Sequence, residues 1–297
     1  MDESKGLFYL PVGLVIINMR TILITVLAAW VVISLLSASS CSRSSALKTP
    51  EEKEREVVLK NRVKSVTETK ISVFAGIKQP GIITQVREFD TFGFVTRETD
   101  YRPDSSIECR LSFEYNKAGK LASLSAVNSG DEFLYKVTRS YDAEDKLKEL
   151  YFNLPGGTYK YRTVSTYDSK GRLTEYAWFW PTGFKAKNIY AYEGWNRVSD
   201  KEYDPQGRLN YEWTYRYDQA DHLLEAVQVN AEGKISRRIA YAYNGDLLMK
   251  QTSFVDEEVQ KSLTYAYDDK GLLASMTETN ASGKITAIFS YRNEYWP

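Results

Sequence analysis

The stretch YDSKGRL, Tyr167 to Leu173, recurs in recognisable form along most of the chain. Related seven-residue pieces begin at Phe89, Tyr115, Tyr141, Tyr192, Tyr217 and Tyr267, with a shortened copy at Tyr243 and a truncated copy at Tyr291. Successive copies start 24–26 residues apart. A fixed period of this length indicates a tandem repeat in which each unit is one supersecondary element.

The chemistry of each repeat predicts a β-hairpin. Residues leading into a copy alternate apolar and polar, as in Tyr211, Trp213 and Tyr215, which in a strand share one face. An Asp or Asn follows the aromatic residue in most copies and is typical of a capped turn. A residue type that tolerates positive φ comes four positions after the aromatic residue: Gly93, Gly119, Asp145, Gly171, Asn196, Asp221 and Gly271. A second turn in mid-repeat leaves two strands of about eight residues per period.

These hairpins predict an all-β domain over residues 58–297, a long antiparallel meander of about sixteen to eighteen strands. Sheets twist, and open ones rarely exceed about ten strands without curling. We therefore expect a curled single sheet or an open half-barrel with tyrosines on the concave side, and a closed barrel is the alternative. Ahead of the repeat, EEKEREVVLKNR (51–62) predicts a short charged helix. The sequence after it alternates between apolar and polar residues and predicts a first strand.

The N-terminal 40 residues have the pattern of a signal peptide. An apolar run from Thr21 to Leu36 follows Met19-Arg20 and is short for a membrane span, which needs roughly 20 residues. Met19 fits the start of such a peptide better than Met1, which precedes two acidic residues. The alternative is an uncleaved membrane anchor that ends near Ser37.

Small residues ending at a cysteine, Ala38-Ser39-Ser40-Cys41, resemble the lipobox of bacterial lipoproteins. The resemblance implies cleavage before Cys41, lipid such as palmitate on that residue, and a tether over residues 41–57. Ser42 in the next position is similar to lipoproteins sent to the outer membrane. Several acyl chains would give stable anchoring to the membrane.

The copies YDSKGRL (167–173), YDPQGRL (203–209) and YDDKGLL (267–273) resemble the RHS or YD repeat, whose core is YDxxGRL, and are similar to MORN-like repeats. The resemblance covers about residues 82–293. Large RHS proteins form a shell around a C-terminal toxin, for which this sequence has too few repeats. The chain looks more like small repeat lipoproteins of gut-type bacteria, a group that implies no particular activity.

Composition narrows the possible functions. The formal net charge of +0 argues against a nucleic-acid partner. One histidine, His222, and two cysteines, Cys41 and Cys109, leave few residues for a metal, a cofactor or a nucleophile, so we expect no enzyme. His222 is expected to be solvated in a turn and Cys109 to be a buried free thiol. The turn aspartates are interpreted as caps rather than calcium ligands.

The most unusual stretch is YAWFWPTGF, residues 176–184. Tyr176, Trp178 and Trp180 would share one strand face, beside Trp195 and Trp213 of neighbouring repeats. Together they are a candidate ligand-binding surface, and the alternative is that they fill the concave side of the sheet. The sequence thus predicts a non-catalytic outer-membrane lipoprotein that binds a polysaccharide or an envelope protein. The alternative function is assembly with an envelope partner through sheet-edge pairing.

Overall fold

The computed structural model describes residues 50–157 and 159–297. The predicted signal peptide and the lipidation of Cys41 lie outside the described residues and stay predictions. Within the described part of the chain, no helix is both long enough and apolar enough to cross a membrane.

The described residues form one helix followed by strands. Helix α1 spans Pro50–Asn61, as the charged stretch predicts. The strands are β1 Val63–Phe74, β2 Ile77–Lys78, β3 Ile82–Phe89, β4 Val95–Tyr101, β5 Ile107–Tyr115, β6 Leu121–Val127, β7 Phe133–Tyr141, β8 Leu147–Asn153, β9 Tyr159–Tyr167, β10 Leu173–Trp180, β11 Gly183–Glu193, β12 Asn196–Tyr203, β13 Leu209–Tyr217, β14 Leu223–Asn230, β15 Ile235–Asn244, β16 Leu247–Val255, β17 Glu258–Tyr267, β18 Leu273–Asn280 and β19 Ile285–Tyr295.

Strand β1 closes the sheet into a barrel. Strands β3 to β19 form an antiparallel meander, and β1 pairs with both of its ends: Glu68 lies opposite Gln85 of β3 and opposite Tyr291 of β19. Within the described residues the barrel therefore has 18 strands, and β2 only extends the end of β1. The predicted all-β antiparallel meander is confirmed. The predicted curled sheet or open half-barrel is wrong, because a strand ahead of the repeat joins the two edges.

The turns that carry the YD copies lie at one end of the barrel, here called the YD rim. In the central copy the Asp168 side chain caps the turn: its Oδ1 accepts hydrogen bonds from the backbone N–H groups of Lys170 and Arg172, each at 2.9 Å. Gly171 follows with φ +83°. Equivalent caps are made by Asp90, Asn116, Asp142, Asp218 and Asp268. The interpretation of these side chains as turn caps is confirmed.

The Tyr192 copy departs from the predicted turn. Asn196 begins strand β12 opposite Glu193, and the positive φ falls on Gly194 instead, at +60°. The hairpin loop there has two residues, Gly194 and Trp195, because the pairing of β11 and β12 continues closer to the turn. The other rim of the barrel, here called the mid-repeat rim, is formed by the turns between β1 and β2, β4 and β5, and so on to β18 and β19.

Tyrosine hydroxyls link successive hairpins along the YD rim. The Tyr141 hydroxyl at the end of β7 donates to the carbonyl of Leu121 in the preceding hairpin, at 2.7 Å. The same bond recurs from Tyr115 to Val95, Tyr167 to Leu147, Tyr192 to Leu173, Tyr217 to Arg197 and Tyr267 to Leu248. Each bond satisfies a half-buried hydroxyl and ties one repeat to its neighbour.

Helix α1 packs against the YD rim. Val58 is buried with Val63, Phe89 and Leu272 in one apolar cluster. On the neighbouring turn, the Arg55 guanidinium lies 3.7 Å from the centre of the Phe94 ring. A Cβ atom on Gly93 would stand 2.9 Å from the backbone carbonyl oxygen of Arg55, so glycine permits the close approach of the helix as well as the positive φ of the turn.

The turn cap gives a direct test of this architecture. Asp168→Ala removes both backbone hydrogen bonds and the contact with Arg172, and we expect a loss of about 1–2 kcal/mol in the free energy of unfolding. Asp168→Asn keeps the Oδ1 acceptor and should lose less than half of that. The urea unfolding midpoint measures the difference. Equal losses in both variants would contradict a cap made through Oδ1.

Candidate functional site

Alternation along the strands divides the barrel wall into two faces. The most buried large side chains, such as Leu111, Tyr135, Phe152 and Tyr265, fall on the same face through the register of successive strands. Side chains crowd together on the concave side of a closed sheet, so we assign this more buried face to the inside of the barrel, where we expect the tyrosines. The aromatic content of the repeat is therefore concentrated inside the barrel.

The outer face of the wall is polar. Ion pairs cross neighbouring strands there, as between Lys187 and Glu175 at 2.9 Å and between Arg238 and Glu225 at 3.4 Å. Serine and threonine fill many of the positions between them. In a barrel that spans a bilayer, the outward side chains form an apolar band. The outer face of this barrel is suited instead to contact with water.

The strand number leaves space inside the barrel. Eighteen tilted strands about 4.8 Å apart give a round barrel a backbone-to-backbone diameter of roughly 35 Å, more than the side chains of opposite walls fill. Side chains fill barrels of about eight strands, whereas barrels of 16–18 strands leave an aqueous lumen. In the described part of the chain, strands pack extensively only against their sheet neighbours. The inner face is thus a lined wall rather than a closed core.

A row of aromatic rings follows the inner wall from β8 to β10. Phe152 stacks on Tyr161 with 5.2 Å between ring centres, and Tyr161 contacts Trp178 at 5.5 Å. Tyr176 meets the edge of Trp178 at 5.2 Å. Burial raises the pKa of Tyr161 to about 12, so this phenol stays neutral at physiological pH. The row offers flat apolar surfaces beside neutral hydroxyl groups.

Polar groups continue the inner wall from β11 to β13. Asn188 donates to Asp200 Oδ1 at 2.8 Å, and the Tyr211 hydroxyl donates to Glu202 Oε2 at 2.7 Å. Burial raises the pKa of Asp200 above its usual range.

A second group of rings lies beside these polar side chains. Trp213 stacks on Tyr215 with 6.5 Å between ring centres, and Arg197 lies 4.9 Å from the centre of the Tyr215 ring. We call the inner face of β9 to β13 the aromatic wall.

The structure separates the five aromatic residues that the sequence predicts as one surface. Tyr176, Trp178 and Trp213 lie on the aromatic wall. Trp180 ends β10 at the mid-repeat rim and is 48% exposed. Trp195 lies in a turn at the opposite, YD rim and is 38% exposed. Three of the five residues therefore share one face, whereas a strand end and a turn place Trp180 and Trp195 at different ends of the barrel. Ligand binding by any of the five stays a prediction.

Sequence reasoning missed the polar side chains that the structure brings beside these rings: Asn188, Arg197, Asp200 and Glu202. The available signal was the period-two pattern of β11 and β12, in which polar residues replace aromatic ones on the inner face. Which residues stand side by side depends on the register between strands, and a single-strand pattern does not contain that register.

His222 is buried, so the expectation of a solvated histidine is wrong. Its Nδ1 lies 2.9 Å from Asp218 Oδ2, its Nε2 lies 3.3 Å from Asp246 Oδ1, and its ring stacks on Tyr243. Burial opposes a charge on the ring, but the hydrogen bonds to the two carboxylates outweigh it and raise the pKa of His222 above its usual value. The histidine links two turns of the YD rim, at the position where Arg172 contacts Asp168 in another copy.

Cys109 is a buried free thiol, as predicted. Its Sγ lies 3.4 Å from Asp100 Oδ2, and burial raises the pKa of the thiol well above its usual range. Within the described residues, no group of three or more histidine, cysteine, aspartate or glutamate side chains is placed to hold a metal ion.

Arg87 joins helix α1 to the inner wall. Its guanidinium pairs with Glu54 of the helix and donates through Nε to Glu98 Oε2 at 3.1 Å. Burial raises the pKa of Glu98 to about 7 even though Arg87 acts against that change. The helix is thus fixed to the mouth of the barrel at the YD rim by a half-buried ion pair as well as by apolar contacts.

Comparisons with known proteins assign the chain to no family. No family model and no curated protein matches the chain. A porin-like protein from Bacteroides uniformis superposes with a TM-score of 0.41 and 11% identity over 79% of this chain and 97% of its own. A porin-like protein from Bacteroides vulgatus gives a TM-score of 0.32 and 12% identity over 63% and 94%. The Photorhabdus luminescens Tc holotoxin pore gives 0.34 and 14% identity over 75% of this chain and 14% of that one.

These comparisons correct the interpretation of the repeat. The identification with the RHS, YD or MORN-like family is wrong: no model of such a family matches the chain. At these identities and TM-scores the similarities carry no argument about function. The recurring YD sequence reflects the requirements of a capped hairpin turn, and these requirements are the same in unrelated repeat proteins.

His222 predicts a specific pH dependence of stability. Since its pKa is raised in the folded state, its stabilisation is fully present below about pH 6.5 and is lost as the pH rises through the folded-state value. The stability difference between the wild type and His222→Gln should therefore shrink between about pH 6 and about pH 9.

His222→Arg serves as the control, because it keeps a positive charge between the two carboxylates at every pH in this range. Its urea midpoint should exceed that of the wild type at alkaline pH. A wild-type curve that runs parallel to the His222→Gln curve would show that the histidine does not titrate in this way.

Proposed function

We propose that the protein is a non-catalytic binding protein of the bacterial cell envelope that holds a carbohydrate on its aromatic wall. The predicted signal peptide and the lipobox-like stretch that ends at Cys41 support the location. The polar outer face supports a barrel that stands in water beside the membrane to which the predicted lipid would attach it.

The observation that carries the proposal is the arrangement of two aromatic groups with polar groups between them. Trp178 with Tyr161 and Trp213 with Tyr215 provide flat surfaces for sugar rings. Trp178 lies on β10 and Trp213 on β13, so three strand spacings, roughly 14 Å, separate the two strands across the wall. The Asn188–Asp200 pair lies on the strands between them and offers donors and acceptors to sugar hydroxyls.

The carboxylates of the aromatic wall are suited to binding. Asp200 accepts a hydrogen bond from Asn188, and Glu202 accepts one from Tyr211. These partners fix the orientation of both carboxylates, as recognition of hydroxyl groups requires. We therefore assign the wall to ligand recognition without chemical conversion.

The alternative function, assembly through sheet edges, loses its physical basis in this fold. Edge pairing needs a strand with unpaired backbone groups. Here β1 pairs on both sides, and among the described strands the only addition outside the barrel is the two-residue β2. Binding of an envelope protein in place of a polysaccharide becomes an outcome of the test below.

The test uses the segment 50–297, which contains every strand that closes the barrel. The wild type is screened on a glycan array, and the strongest glycan is titrated calorimetrically. Trp178→Ala and Trp213→Ala should each weaken binding about tenfold, through loss of aromatic stacking worth roughly 1.4 kcal/mol. Trp195→Ala, at the YD rim and away from the wall, is the matched control and should change affinity less than about twofold.

Two results would overturn the proposal. One is the absence of any glycan signal, with an envelope protein captured equally by the wild type and by Trp178→Ala. The other is an equal loss of glycan affinity in Trp178→Ala and Trp195→Ala, which would place the binding surface outside the aromatic wall.

A further inference from the structure

Exposed apolar side chains are concentrated at the mid-repeat rim. Six of them stand at the ends of its hairpins: Phe74, Ile77, Phe133, Trp180, Val255 and Ile285. We call this set the apolar collar. Asp or Asn caps close turns at both rims, but at the YD rim one sector is also covered by helix α1. The two ends of the barrel therefore present different chemistry to their surroundings.

The most exposed part of the collar is a hairpin that projects beyond the barrel. Strand β1 continues past its barrel partners and folds back through Ala75 and Gly76 into β2, where Phe74 pairs with Ile77. Phe74 is 78% exposed and Ile77 is 67% exposed. Ala75 adopts φ +51°, an unfavourable conformation for a residue with a Cβ atom. The hairpin thus holds two large apolar side chains in water on a tight turn.

The neighbouring hairpin extends this apolar tip. Ser72 lies opposite Ala287 where the pairing of β1 with β19 ends, and Ile285 begins β19 two residues before Ala287. Ile285 is also exposed. Two adjacent hairpins therefore present apolar side chains at the same sector of the rim.

The charge at this point is positive. The segments 75–81 (AGIKQPG) and 280–284 (NASGK) contain Lys78 and Lys284 and no acidic residue. Both lysines are exposed. Among the ion pairs of the described residues, neither lysine takes part in one. Exposed lysines around a projecting apolar tip complement an anionic, apolar surface.

We propose that the β1–β2 hairpin docks on an anionic lipid surface and inserts Phe74 and Ile77 at the headgroup level. The projecting hairpin reaches a flat surface ahead of the acidic turns elsewhere on the same rim, which contain Asp131, Glu132, Asp256, Glu257 and Glu258. A globular protein partner needs one contiguous apolar patch. Tryptophan at a rim, here Trp180 with Lys185 4.8 Å from its ring centre, is typical of a membrane–water interface.

This docking is independent of the proposed carbohydrate function, because it involves none of the residues of the aromatic wall.

The test measures cosedimentation of the segment 50–297, which lacks Cys41, with vesicles of phosphatidylethanolamine and phosphatidylglycerol (3:1) and with vesicles of phosphatidylcholine. The wild type should bind the anionic vesicles, and Phe74→Ser/Ile77→Ser should bind about tenfold more weakly. Lys78→Glu/Lys284→Glu should remove the preference for anionic lipid. Phe92→Ser is the matched control, since Phe92 is 66% exposed in a turn of the YD rim. Thermal melts establish that all variants fold.

Three outcomes would overturn the proposal. The wild type would fail to sediment with anionic vesicles, or Phe92→Ser would lose as much binding as the hairpin variant. Alternatively, light scattering without lipid would show a dimer that Phe74→Ser/Ile77→Ser dissociates, which would make the collar an interface between two copies of the chain.

Discussion

The pairing of β1 with both ends of the meander is the constraint on which the rest of the structure depends. Glu68 has Gln85 on one side and Tyr291 on the other, so a single strand connects segments more than 200 residues apart in the sequence. A meander of this size without that strand would have two long edges and no enclosed lumen. Closure gives the wall an inside and an outside and separates its two rims. The entropic cost of bringing such distant segments together grows only slowly with chain length, so a row of backbone hydrogen bonds can offset it.

The local chemistry of the repeat predicts the hairpins well because each turn is specified by its own residues. Asp168 caps the turn and Gly171 adopts the positive φ, and both roles can be predicted from the seven residues of this copy. Closure of the barrel could not be predicted in this way, because nothing in the repeat sequence indicates that β1 pairs with both edge strands. The candidate site divides in the same way. The period-two pattern of β10 predicts that Tyr176 and Trp178 lie on one face. The contacts of Asn188 with Asp200 and of His222 with Asp246 join neighbouring strands or turns, so they depend on the register between strands, which the pattern of one strand does not contain.

Tyrosine, present 22 times, suits this barrel because it satisfies two requirements at once. Its ring covers the inner wall, and its hydroxyl finds a carbonyl in the adjacent hairpin, as Tyr141 does with Leu121. Phenylalanine would leave that carbonyl without its partner, and a charged residue would place an ion against the aromatic row. The outer face meets water with ion pairs such as Lys187–Glu175. The polarity of the wall is thus the reverse of that of a membrane-spanning barrel.

The asymmetry of the rims determines how a ligand reaches the lumen. At the YD rim, Arg87 binds Glu54 of helix α1 inside the wall, where Glu98 and Arg87 already share a buried environment. Displacement of α1 would break the ion pair of Arg87 with Glu54 and expose the apolar cluster around Val58, so it is costly. The mid-repeat rim has no comparable cover within the described residues. A ligand that reaches Trp178 and Trp213 therefore passes the apolar collar first, and a ligand with both a sugar part and an apolar part matches the two surfaces in the order in which it meets them.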